Sequence, residues 1–190
     1  MGGMQFCVRI ALVLMFGAPA VVAQSGHPAT VFQPVIAELR SKVQIPVLLP
    51  AKLPARLRSP DISDVVLLTA AADSYSVDLR YRGVGGDAGF AAWFHGVRAG
   101  HDTVRARHPY RLASGALAAF IPVGCGGSCA PANLWWKQDG VIYTIQLRLP
   151  SDMAPQAQAR LLVETANAMV RLRRSADTPA VAPGGGAKGG

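Results

Sequence analysis

The sequence lacks the short motifs that mark several large enzyme classes. It contains no G-x-S-x-G nucleophile elbow, no H-E-x-x-H zinc motif and no phosphate-binding P-loop. A serine, a histidine and an aspartate can be picked from almost any chain of this length, and the spacing of Ser114, His95 and Asp78 does not support a triad. We therefore assign no catalytic residue and leave open whether the protein is an enzyme.

One glycine-rich stretch, GVGGDA from Gly83 to Ala88, fits the fingerprint of a dinucleotide-binding loop. It follows a strand-like run, and Asp102 lies about twenty residues further along the chain. No repeated alternation of strands and helices surrounds it, so the pattern favours a glycine-rich hairpin loop. We expect no cofactor.

An apolar run long enough to cross a bilayer is also missing from the N-terminus. The run from Ile10 to Ala23 follows Arg9, contains a glycine and a proline, and is shorter than the roughly 20 residues that a membrane span needs. It ends in small residues, with Val21 and Ala23 in an A-x-A-like pattern. This predicts a signal peptide over residues 1–23, cleaved near Ala23, and a secreted or periplasmic protein with no transmembrane span after cleavage. An uncleaved N-terminal anchor is the alternative.

Cysteine is scarce, with three residues in the whole chain. Cleavage of the signal peptide would remove Cys7 and leave Cys125 and Cys129 as an even pair in an oxidising compartment. The glycine-rich spacer suits a tight ring, so we predict a disulfide. A redox site is the first alternative, although a thioredoxin-like site has C-x-x-C at a helix N-terminus and strand-like sequence follows here. A metal site would need two further ligands, and none is predicted.

Acidic residues are few. The chain has 11 aspartates and glutamates and 19 lysines and arginines, which gives a net charge of +8. A basic exported protein is suited to an anionic lipid, an acidic polysaccharide or another envelope partner. Export argues against a nucleic-acid partner. Alternatively, the charge serves solubility alone.

The pattern of apolar residues predicts one α+β domain over residues 24–174 and a disordered Gly/Pro/Ala-rich tail over residues 175–190. A first helix begins near Gln33, and a last helix begins at Pro155, continues apolar through Leu172 and ends in an arginine cluster. Prolines 46, 50 and 54 predict an extended edge segment. We expect an antiparallel β-meander with the two helices on one face. The predicted strands are Ile62 to Ala70, Tyr75 to Arg82, Phe90 to Arg98, Tyr110 to Pro122 with a break near Ser114, Leu134 to Gln138, and Val141 to Leu149.

The dipeptide Asp139-Gly140 predicts a two-residue hairpin turn that pairs Trp136 with Tyr143 and Trp135 with Thr144. Side chains alternate along a strand, so one side of this hairpin is apolar and the other polar. An indole beside basic groups can stack on a sugar or an aromatic ring and hold an anion. A solvated sheet face is the alternative. The candidate binding residues on the polar side are Trp135, Lys137, Arg148 and Arg80.

An ordered set of segments spans residues 31–172: IPVLLPAKLP, YSVDLRY, GCGGSCAP, NLWWKQDGVIYTIQL and a closing helix. It resembles an uncharacterised family of exported bacterial α+β domains, found alone behind signal peptides and in membrane-anchored regulators. The resemblance implies an envelope domain and no catalytic residues. The layout is also similar to periplasmic lipoprotein carriers. We expect a noncatalytic ligand- or protein-binding module. The alternatives are a cell-envelope hydrolase and a lipid or lipoprotein carrier.

Overall fold

The structure is a computed structural model that describes residues 26–58, 62–100, 109–126 and 129–173. The predicted signal peptide and the predicted tail lie outside the described residues. The helices are α1, Gln33–Lys42, and α2, Pro155–Asn167. The strands are β1, Leu48–Pro50; β2, Ile62–Ala71; β3, Ser74–Tyr81; β4, Phe90–Arg98; β5, Tyr110–Arg111; β6, Leu117–Ile121; β7, Gly124–Cys125; β8, Cys129–Ala130; β9, Ala132–Gln138; β10, Val141–Leu147; and β11, Met169–Arg171.

The protein is α+β, with a large antiparallel sheet of seven strands in the order β2-β3-β4-β10-β9-β6-β5. The predicted simple meander is wrong at its centre, because β4 pairs with β10 and not with β5. Strands β2, β3 and β4 are consecutive neighbours in the sheet, whereas β5 lies at the opposite edge from β2. The central place suits β10, in which every second side chain is buried.

The predicted β9–β10 hairpin is confirmed residue by residue. Trp136 faces Tyr143 and Trp135 faces Thr144 across the strands. Asp139 and Gly140 have φ angles of 51° and 72°, the two positive values that a type I′ turn requires. The local turn therefore determines which side chains of the hairpin point to each side of the sheet.

The hydrophobic core lies against one side of the sheet, which we call the apolar side. Phe32, just before α1, packs edge-on against Phe94 of β4, with ring centroids 5.5 Å apart. Leu39 of α1 and Leu162 of α2 belong to the same buried cluster as Trp136 of β9. Alternation along the strands places the sheet's contribution to this core on one side only.

The last helix is shorter than its apolar pattern predicts. It ends at Asn167, and residues Met169–Arg171 form β11, which pairs with β1 in a separate two-stranded sheet. Val170 faces Leu49 across this pair, and both side chains are buried. The last turn of α2 contains no basic residue, so the predicted arginine cluster at the helix end is wrong. Pairing with the proline-rich segment overrides the local helical pattern here.

The glycine-rich stretch that fits a dinucleotide fingerprint is the loop between β3 and β4. Gly83 and Gly86 have positive φ angles, and a short 3-10 turn over Gly86–Gly89 leads directly into β4. A strand follows this loop where a dinucleotide-binding fold has a helix, so the prediction of a hairpin loop is confirmed.

Candidate binding face and cleft

The second side of the sheet carries most of its polar side chains, and we call it the polar face. Strand pairing arranges these side chains in two rows across β9, β10, β4 and β3. The first row is Trp135, Thr144, His95 and Ser76; the second row is Asn133, Gln146, Trp93 and Asp78. Among these residues only Ser76 and Asp78 are buried, and the others are partly exposed.

A stacked aromatic pair occupies the middle of the polar face. The rings of Trp93 and His95 lie 4.9 Å apart at an interplanar angle of 12°. The indole N–H of Trp93 donates to the hydroxyl oxygen of Ser76 on the neighbouring strand. Burial lowers the pKa of His95 below its usual value, because the charged imidazolium loses water. The pair is therefore held in place, and its burial favours the neutral form of the His95 imidazole.

A cleft of about 750 Å³ lies at one end of the polar face. It is lined by residues of β3 and β10, by the β3–β4 loop, and by Val123 and residues 129–131. Its lining residues are Asp78, Arg80, Asp87, Ala88, Phe90, Val123, Cys129, Ala130, Pro131, Gln146, Arg148, Leu149 and Ser151.

Two arginines of the cleft are held by backbone carbonyl groups of the same loop. Arg148 donates from Nη1 to the carbonyl oxygens of Ala88 and, at 3.3 Å, of Asp87. Arg80 donates from Nη2 to the carbonyl oxygen of Gly86. The glycine-rich loop therefore fixes both guanidinium groups at the rim of the cleft.

Asp78 is the buried acid of the cleft, and its carboxylate lies 3.7 Å from Nη1 of Arg80. Burial raises the pKa of Asp78 above its usual value, and the charge of Arg80 lowers it in part. Asp78 thus offsets the charge of Arg80. The described residues contain no carboxylate at ion-pair distance from Arg148.

The four residues predicted as a binding patch share one face but not one site. Arg80 and Arg148 line the cleft together, whereas Trp135 and Lys137 do not. Trp135 faces Thr144, which precedes Arg148 by four residues, or about 13 Å along an extended strand. Lys137 is two residue pairs closer to the hairpin turn than Trp135 and is exposed.

Sequence reasoning did not single out the Trp93–His95 pair, the loop carbonyls or the cleft. The sequence did contain a signal for the pair, because Trp93 and His95 occupy alternate positions of a predicted strand, on either side of Phe94, and therefore share one face of it. The contacts of Arg148 with the loop carbonyls had no signal in the sequence, because they join positions about sixty residues apart in the chain.

The Sγ atoms of Cys125 and Cys129 are 2.11 Å apart, at disulfide-bonding distance. The two residues face each other in the β7–β8 pair, which lies between β6 and β9 in the chain. Thioredoxin-like sites have their reactive cysteine at a helix N-terminus. Cys125 lies in a strand. Within the described ranges, no three His, Cys, Asp or Glu side chains are grouped so that they could hold a metal ion.

The chain has no match among protein-family models, among curated proteins or among solved structures. In the part of the chain that the structure describes, no helix has the length and apolar character of a membrane span. The functional assignment therefore rests on the geometry of the polar face and its cleft.

Proposed function

We propose that this protein is an exported, noncatalytic module that binds an envelope ligand or protein through the polar face. The observation that carries the proposal is the contrast between the two sides of the sheet. Leu134, Trp136 and Ile145 on the apolar side are at most 1% exposed. Trp135, Thr144 and Gln146 on the polar face are partly exposed and lie among aromatic and basic groups. A packed core on one side of the sheet, with exposed aromatic and basic side chains on the other, favours a binding module.

We also propose that both helices cover the apolar side, which leaves the polar face available to a partner. The edge-on contact of Phe32 with Phe94 supports this placement for α1. The membership of Leu162 in the same buried cluster supports it for α2.

Export is part of the proposal and rests on the N-terminal sequence pattern and on the resemblance to exported α+β domains. The cysteine pair supports it, because disulfides persist in oxidising compartments.

The two alternative functions have less support. A lipid carrier needs an apolar cavity between helix and sheet, whereas the described cavity beside α1, of about 320 Å³, opens at the end of the helix next to Arg40 and Arg171. A hydrolase needs a nucleophile hydrogen-bonded to a base. Ser76 and His95 face each other across β3 and β4, but among the described residues no hydrogen bond joins their side chains. Ser76 accepts from Trp93, and His95 stacks on that indole.

The proposal is tested by binding the exported full-length protein to a panel of purified acidic and neutral envelope polysaccharides. Trp135→Ala and Arg148→Ala should each weaken binding about tenfold or more, with the melting temperature nearly unchanged. Arg160→Ala on the exposed surface of α2 removes the same charge elsewhere and serves as the matched control. Retained binding in both face variants, or an equal loss in the α2 control, would contradict the proposal.

A further inference from the structure

We propose that the cleft binds a small ligand through an oxyanion, a carboxylate or a phosphate, with Arg148 as its principal anchor and Arg80 and Gln146 as further donors. This inference rests on the proposed function and specifies the ligand chemistry and the place on the polar face.

Arg148 has no ion-pair partner among the described residues. Its hydrogen bonds to Ala88 and Asp87 go to backbone carbonyls, which fix the guanidinium group but carry no net charge to neutralise it. The carboxylate of Asp78 lies at ion-pair distance from Arg80 and not from Arg148. Asp87 also lines the cleft, but no described carboxylate lies at ion-pair distance from Arg148. The cleft therefore presents one guanidinium group that is positioned without an ion pair.

Arg148 also keeps hydrogen-bond donors that the loop does not use. Arg148 uses Nη1 for the loop, so the hydrogens on its Nε and Nη2 have no partner among the described residues. A guanidinium group presents its donors in a planar fork that matches the two oxygens of a carboxylate or phosphate. The amide of Gln146, which also lines the cleft, can donate a further hydrogen bond.

The cleft has the size and lining of a small-molecule site. A volume of about 750 Å³ lies within the range of small-molecule sites, roughly 300–1,000 Å³. Phe90, Val123 and Leu149 supply apolar lining beside the charged groups. An anchored anion with a short sugar or peptide body matches this combination of one charged end and apolar walls.

Val123, which lines the cleft, is hydrogen-bonded to α2, and this bond fixes its position. The backbone N–H of Val123 donates to Oε1 of Gln158 at 2.9 Å. The amide nitrogen of Gln158 in turn donates to the carbonyl oxygen of Met153 at 2.7 Å, and Gln158 is buried. A preorganised site binds with less loss of conformational freedom than a mobile one.

The test is an NMR or calorimetric titration of the exported full-length protein with three probes: D-glucuronate, glucose 1-phosphate and neutral glucose. We expect either anion to bind at least tenfold more tightly than glucose, and more weakly as salt is added. The comparison of the two anions distinguishes a carboxylate from a phosphate ligand. Equal binding of glucose, or no binding of either anion, would overturn the inference.

Two variants assign the binding to the cleft. Arg148→Gln should weaken the binding of the preferred anion about tenfold or more. Because Arg148 also holds the loop, Arg148→Lys provides the second variant: it keeps a cation and a donor for the carbonyls but loses the planar fork, and it should weaken binding several-fold with the fold retained. Unchanged affinity in both folded variants would overturn the assignment.

Trp135→Ala separates this inference from the broader proposal, because Trp135 does not line the cleft. This variant should leave the affinity for the small anions unchanged. If no small anion binds while polysaccharide binding still depends on Trp135, the cleft inference fails and the binding face stands. If the anions bind but no polysaccharide does, the face proposal fails and the cleft stands.

Discussion

The ring of Tyr75 on β3 lies directly against the α-carbon of Gly96 on β4. The two residues face each other across the strands, and a β-carbon built on Gly96 would lie 2.3 Å from Cε1 of Tyr75. The ring continues past the sheet, so that its hydroxyl group donates to the carbonyl oxygen of Leu48 and accepts from the N–H of the same residue. The missing side chain at position 96 therefore lets a core tyrosine connect the large sheet to β1.

Gly96→Ala should destabilise the protein by about 1–3 kcal/mol, because the new methyl group forces the buried ring of Tyr75 to move. The measurement is urea unfolding followed by circular dichroism. Gly124→Ala is the matched control, since nothing lies within 4 Å of a β-carbon at that position and its φ is not positive. Equal midpoints for the two variants would contradict the close contact.

Tyr75→Phe should cost about 1–2 kcal/mol, because the backbone groups of Leu48 lose the partner that the hydroxyl provides. Amide hydrogen exchange should become faster in β1 and β11 than in the centre of the large sheet. Tyr110→Phe alters a tyrosine at the exposed edge and should change neither quantity. Uniform exchange rates in Tyr75→Phe would show that this bond does not hold β1.

Mass spectrometry of the exported protein without reductant should find Cys125 and Cys129 joined, with no thiol that alkylates. Replacement of both by serine should lower the free energy of unfolding by about 2 kcal/mol, because a five-residue ring restricts the unfolded chain only modestly. Two free thiols in the exported sample would refute the disulfide.

Trp136→Ala and Trp135→Ala should differ strongly although they are neighbours in sequence. Trp136 is 1% exposed in the core, so its truncation should cost about 3–5 kcal/mol. Trp135 lies partly exposed on the polar face, and its truncation should cost about 1 kcal/mol or less. Chemical denaturation of both variants gives the comparison, and equal losses would mean that the assignment of the two sides of the hairpin is wrong.

The stability of the protein should fall as the pH drops below 6.5, in part through His95. Burial lowers the pKa of His95 in the folded state, so between that value and 6.5 the unfolded chain binds more protons. The contribution of His95 to the free energy of unfolding is complete above pH 6.5 and is lost as the pH falls through the folded-state pKa. His95→Gln should flatten this part of the curve of unfolding free energy against pH. Parallel curves for the variant and the wild type would contradict the prediction.

The features that were predictable from the sequence depend on contacts between residues that are close in the chain. Asp139 and Gly140 form the turn and thereby set the whole register of β9 and β10. Pro34 lies in the first turn of α1, where it removes no helical hydrogen bond. The alternation around Trp135 assigned the polar and apolar sides, because the side chains of a strand point in turn to opposite faces.

Tertiary contacts decided the rest, because they join residues whose spacing in the sequence carries no signal. Residues Met169–Arg171 have a helical pattern, yet they pair with β1 because the proline-rich segment offers unpaired backbone groups. The pairing of β10 with β4 joins strands that are far apart in the chain, and no local pattern specifies it. Likewise, the loop from Gly86 to Ala88 brings Arg80 and Arg148 into one cleft and away from Trp135. Local chemistry thus determined the strands and their faces, and long-range packing decided which of those side chains meet.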